Sequence, residues 1–205
     1  MKNSFIIIIC ILIAAPAVFA QFYIPDYYMQ SNFLHLPPGV EGGAAGAYFN
    51  PAVWGMLPGT EFQFYWADLR EEEGDPRNWT ALLGTTNIGF GVQHWRYLDT
   101  TVPGGDNWNS LYDYNIGTGF GNDALTMGLG YYWTKGDIAE PMLRDDRLAV
   151  GALSRPMPYV SLGAAAHYAV DKKNLRGTVD FGLRPFGTPL LTLFADAALY
   201  DEQRL

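Results

Sequence analysis

Beyond Gly59 the chain consists of segments about ten residues long in which apolar residues recur at every second position, separated by turn-forming residues. Side chains of a strand point alternately to its two faces, so this period predicts strands with one apolar face. The clearest case covers 175–185. Leu175, Val179, Phe181 and Leu183 share one face, and Arg176, Thr178, Asp180, Gly182 and Arg184 share the other. The next segment sets Leu191, Leu193, Ala195, Ala197 and Leu199 against Leu190, Thr192, Phe194, Asp196 and Ala198. The same alternation places strands over 61–66, 87–93, 112–121, 124–133, 148–155 and 159–170, about eight in all. Residues 21–58 are irregular by contrast: Pro25, Pro37-Pro38-Gly39, Gly42-Gly43, Pro51 and Pro58 leave room only for a short helical turn over Ala44–Phe49.

The second face of these strands is made mostly of Gly, Ala, Ser, Thr and Asn. A soluble sandwich buries its apolar faces against each other and shows Lys, Glu and Thr to water. Small residues instead suit the confined inside of a barrel. Tyr and Trp gather near segment ends, at Trp66, Trp79, Trp95, Tyr97, Trp108, Tyr112, Tyr131, Tyr132, Trp133, Tyr168 and Tyr200, as in the girdles at the two headgroup levels of a membrane barrel. Aromatics plugging the mouths of a soluble barrel would give a similar pattern. Connections are unequal, as in outer-membrane barrels: Gly121-Asn122-Asp123 and Asp171-Lys172-Lys173-Asn174 are tight, whereas 68–78 and 99–109 are long and polar. Arg155-Pro156-Met157-Pro158 and Arg184-Pro185 each precede a new strand and form a weak internal hairpin repeat.

The expected fold is therefore all-β, an antiparallel up-and-down membrane β-barrel of about eight strands over 59–200, with 21–58 as an irregular plug-like segment. In lipid no strand edge stays unpaired, so the strands close on themselves or are completed by others. The charged tail at 201–205 ends in Leu rather than an aromatic, which is the ending expected of a portion of a larger barrel or of a linker to another domain.

Composition narrows the classes. The 205 residues are 49% hydrophobic, 15% aromatic and only 17% charged, which excludes a disordered chain. A net charge of −8 offers no basic footprint for nucleic acid. Residues 1–20 read as a signal peptide: Lys2, an apolar run, Pro16, then small residues up to Ala20, with cleavage leaving Gln21 first. The single cysteine, Cys10, lies in that run, so the mature chain has no disulfide, no thiol nucleophile and no Cys-ligated zinc.

The stretch Gly42-Gly43-Ala44-Ala45-Gly46-Ala47-Tyr48-Phe49-Asn50-Pro51-Ala52 precedes the first strand. It resembles the Asn-Pro-Ala signature of the long-chain fatty-acid transporter family. The resemblance implies an outer-membrane barrel with its N-terminal segment tucked inside, and Asn50, Pro51 and Ala52 as the plug motif. The Arg-Pro turns also look like the barrel-like N-terminal region found ahead of signal peptide peptidase A domains. The likeness covers most of the mature chain in pattern and about ten residues in motif, and the chain is much shorter than the transporters' usual barrel. In physical terms, Asn50 can bond neighbouring backbone, Pro51 fixes φ and Ala52 permits close packing, which suits a rigid turn buried in a lumen.

Candidate chemistry is sparse. The histidines are His35, His94 and His167; His167 shares a strand face with Ser161, but no Gly-x-Ser-x-Gly elbow accompanies them. Gly117, Gly119 and Gly121 alternate along a strand with no helix after them, unlike a dinucleotide loop. Glu71-Glu72-Glu73-Gly74-Asp75 lacks the alternating ligand spacing of a calcium loop. No cofactor and no metal site is expected. Arg176, Asp180, Arg184 and Asp196 are expected to face the lumen from two neighbouring strands and to pair there. The leading expectation is a non-enzymatic barrel exported to the outer membrane of a Gram-negative cell. Its partners would be outer-membrane lipid and a hydrophobic small molecule that it binds or passes. Two other classes stay open: the membrane module of a signal-peptide-peptidase-like protein, and a soluble periplasmic sandwich or ligand-binding barrel.

Overall fold

The alternating segments form one antiparallel sheet in a computed structural model that describes residues 33–67, 78–98, 108–136, 145–171 and 173–200. Its strands are β1 (Glu61–Ala67), β2 (Asn78–Thr85), β3 (Ile88–Leu98), β4 (Trp108–Asn122), β5 (Leu125–Gly136), β6 (Arg147–Met157), β7 (Val160–Ala169), β8 (Asn174–Leu183) and β9 (Leu193–Tyr200). They lie side by side in chain order, each bonded to the next. Ahead of them come two short helices, α1 (Pro38–Glu41) and α2 (Ala44–Phe49), and a 3₁₀ helix, Pro51–Met56. Gly42, at φ 74, takes the left-handed conformation that ends α1. The expected signal peptide, the acidic 71–75 run and the 201–205 tail lie outside the described residues.

Two features depart from the sequence-based expectation. Among the described residues there are nine strands rather than about eight, and β1 does not pair with β9, so this sheet is not closed into a barrel. The additional strand is β2, where Leu82 and Leu83 stand consecutively. Leu82 is fully buried on the inner face and Leu83 exposed on the outer, so the two leucines break the alternation that marks the other strands. Asn87, at φ 76, then supplies the left-handed position of the two-residue turn into β3.

The turns need correcting as well. Pro156 does not end β6, which runs on through a register shift to Met157, and the chain turns at Pro158-Tyr159. The connection after Arg184 is longer than expected, with β9 beginning at Leu193. The tight β4–β5 and β7–β8 turns lie at opposite ends of the sheet, so long and short connections are not cleanly sorted by end.

The core lies on one side only. Ala44, Ala45, Tyr48, Phe49, Val53, Trp54 and Leu57 from the helical segment cluster with Leu82 and Leu153 from the sheet. The segment therefore occupies the inner face, the one rich in small and polar residues. The outer face is apolar and uncovered: Phe62, Trp66, Phe90, Leu129, Val150, Leu162, Val179 and Leu199 are all exposed. Among the described residues no helix is long and apolar enough to cross a membrane, which says nothing of strands.

Candidate functional site

The site is the seat of the helical segment on the inner face. A helix leaves its first N–H and last C=O groups without intrahelical partners, and in one as short as α2 that is most of its backbone. Inner-face side chains satisfy them. At the start of α2, Ala44 N–H donates to the Glu61 carboxylate at 3.3 Å and Ala45 N–H to Gln63 Oε1 at 2.8 Å. At its end, the Tyr48 carbonyl accepts from Tyr132 Oη at 2.6 Å and from Asn115 Nδ2 at 3.4 Å, and His167 Nε2 sits 3.2 Å from the Phe49 carbonyl. Five side chains from four strands, β1, β4, β5 and β7, thus hold one helix.

Asn50 joins α2 to the 3₁₀ helix. Its Oδ1 accepts from Ala52 N–H at 3.1 Å, while its Nδ2 faces the carbonyls of Ala152 and Ala164 at 3.2 and 3.3 Å. Asn50, Pro51 and Ala52 are all buried. Glycines on the strands leave the space they fill. A Cβ at Gly151 would collide with Asn50 Oδ1, one at Gly128 with the Pro51–Ala52 backbone, and one at Gly84, Gly89 or Gly117 with the Trp54 indole. The alternating glycines of β4 and β5 are thus largely a bed for this turn.

Arg176, Asp180, Arg184 and Asp196, expected to pair in a lumen, stand on the face that carries the helical segment. Arg176 Nη2 is 3.5 Å from Asp145 Oδ2, both buried. Arg184 Nη2 donates to the Val40 carbonyl at 3.2 Å. Asp180 is buried against Gly39 and Gly163, and the strand register sets Asp196 opposite it. Arg155, the counterpart of Arg184 in the Arg-Pro repeat, grips α1 as well: its Nε and Nη2 donate to the Gly39 carbonyl at 3.2 and 2.6 Å, joined there by Ser161 Oγ. Ser161 and His167 share the inner face but hold different carbonyls, Gly39 and Phe49.

Beside α1, burial pushes the Glu41 carboxyl above the usual carboxylate range; His35 opposes the shift and Glu61 adds to it. Among the described residues no group of three or more His, Cys, Asp or Glu could hold a metal ion.

The holding residues Glu61, Gln63, Asn115, Tyr132, Arg155 and His167 escape the sequence-based search. Their signal is a polar or aromatic side chain at an inward position among small residues, but only the position of the helix tells which are used. On the outer face, Trp66, Trp79, His94 and Tyr112 fall in one register row across four strands, with Tyr114 and Trp133 stacked beside them at 5.3 Å between ring centroids. Trp95 and Tyr132, expected in such a row, lie on the inner face instead.

Compared with known protein families, curated proteins and solved structures, the chain matches none.

Proposed function

We propose that this chain forms the wall, or part of the wall, of an outer-membrane β-barrel whose N-terminal segment fills the inside. The observation that carries the reading is the inversion of the two sheet faces. The segment covers the small and polar face, while apolar side chains on every strand remain uncovered. A soluble monomer rarely leaves a contiguous apolar patch beyond about 300–600 Å². Hydrocarbon solvates such a face, and an aromatic row at one level is where headgroups would lie. Strands β3 to β8 also have the length of about 9–11 residues, or more, that a tilted span requires.

Among the described residues the outer edges of β1 and β9 have no neighbouring strand, which favours the barrel-portion form of this reading. With nine antiparallel strands, β1 and β9 run in the same direction, so closing one on the other would take a parallel pair. Further strands, from a partner or from more chain, complete the wall instead. Passage or binding of hydrophobic molecules rests on the Asn50-Pro51-Ala52 resemblance. Fractionation tests the whole proposal. The processed chain is expected to stay with outer membranes through a high-salt wash and to migrate differently on gels with and without heating. Recovery as a dissolved monomer without detergent would end it.

A further inference from the structure

At the end of the sheet formed by the Asp123-Ala124 and Pro158-Tyr159 turns, a cavity of about 320 Å³ opens beside α1. Arg155, Arg184 and Ser161 make its polar wall, and Val40, Pro156 and Met157 its apolar wall. We propose that this cavity binds a compact organic acid, its carboxylate held between Arg155 and Arg184 and its apolar part against the proline-rich hairpin.

The donors are available. A guanidinium carries five N–H groups. Arg155 uses Nε and Nη2 on the Gly39 carbonyl, and Arg184 uses Nη2 on the Val40 carbonyl, so each guanidinium that lines the cavity keeps N–H groups beyond those bonds. Those carbonyls are neutral, and neither arginine forms a salt bridge among the described residues; Asp180 offsets only part of the repulsion between the two like charges that face this space. Asp180 is turned toward Gly39 and Gly163 and is not part of the wall. The acidic side chain that does line the cavity is Asp123, exposed in its turn. An anion relieves the repulsion, and a carboxylate matches the planar guanidinium fork. The volume lies at the small end of ligand pockets, which selects a compact molecule, and the apolar wall distinguishes an organic acid from an inorganic ion. None of this depends on what covers the outer face.

Calorimetric titration of the whole chain in a non-ionic detergent with benzoate, benzamide and inorganic phosphate tests the proposal. Benzoate is expected to bind, more weakly as salt rises, and more tightly than either benzamide or phosphate. Arg184→Gln should weaken benzoate by about tenfold or more, and Asp123→Lys should tighten it by about threefold or more. Asp123 is exposed in the turn between β4 and β5, so this second variant decides the matter even where Arg184→Gln fails to fold. Absence of benzoate binding, equal binding of benzamide or phosphate, or unchanged affinity in Asp123→Lys would each overturn the proposal.

Discussion

At Asn50 a single carboxamide accepts from Ala52 and donates toward two carbonyls of the sheet, so different replacements separate its roles. Asn50→Ala removes all three bonds and should cost about 1–3 kcal/mol in denaturant unfolding, the range for leaving buried polar groups unmet. Asn50→Asp keeps the acceptor for Ala52 but turns a second oxygen against the Ala152 and Ala164 carbonyls, and should therefore be worse than Ala. An aspartate variant as stable as wild type would mean that the donor half of the amide is idle. The neighbouring Trp54 indole lies against Gly84, Gly89 and Gly117 and is fully buried, so it cannot retreat from an added methyl group. Gly89→Ala should cost about 1–3 kcal/mol by overpacking. Combined with Trp54→Leu it should cost less than the sum of the two single changes, because the smaller side chain makes room. Simple additivity would show that the glycine serves some other end.

A six-residue helix has no stability of its own in water, so α2 exists because the strands meet both of its ends. Its place was legible, since Pro and Gly bracket a run with no other breaker than Gly46, but what holds it was not. Glu61 and His167 are about a hundred residues apart along the chain and come to one helix only through the strand order. β2 was hidden for a local reason, the Leu82-Leu83 pair, while the period of β8 survived because its inward positions carry Arg and Asp in place of apolar residues. The Arg-Pro repeat was visible as a pattern and misread as two alike turns; its physical content is two arginines that reach adjacent carbonyls of α1. Glu41, at the end of that helix, makes the packing of α1 depend on pH. Its carboxyl is held above the usual range, so the folded state binds the proton more tightly than the unfolded chain does. The resulting stability is present below the ordinary glutamate range and is lost as pH rises through the raised value. Glu41→Gln stays neutral throughout and should be the more stable protein at pH 7 but not at pH 4. The difference should be small because the carboxyl is only partly buried. Unfolding midpoints that diverge in the opposite direction would refute the assignment.

For the molecule as a whole, the sheet has a protein layer on one face and exposed apolar side chains on the other. Water and hydrocarbon make different demands on an outward position, and the demand in hydrocarbon varies with depth. Val179 lies mid-way along β8 and Leu175 near its end, and both are exposed on the outer face with close to half of their surface uncovered. On a water-facing sheet, arginine at either position would be tolerated within about 0.5 kcal/mol. At the centre of a bilayer, arginine costs about 2–4 kcal/mol, and near the interface about 0–1 kcal/mol, where the side chain can reach headgroups. Gly182 cannot serve as an inward control, because any side chain there meets Val40. Thr178→Ser can, since it keeps the hydroxyl on the inner face. Reversible unfolding from lipid vesicles should then rank Val179→Arg well below Leu175→Arg, with Thr178→Ser near wild type. Equal tolerance at Val179 and Leu175 would place water, or another protein, against the outer face.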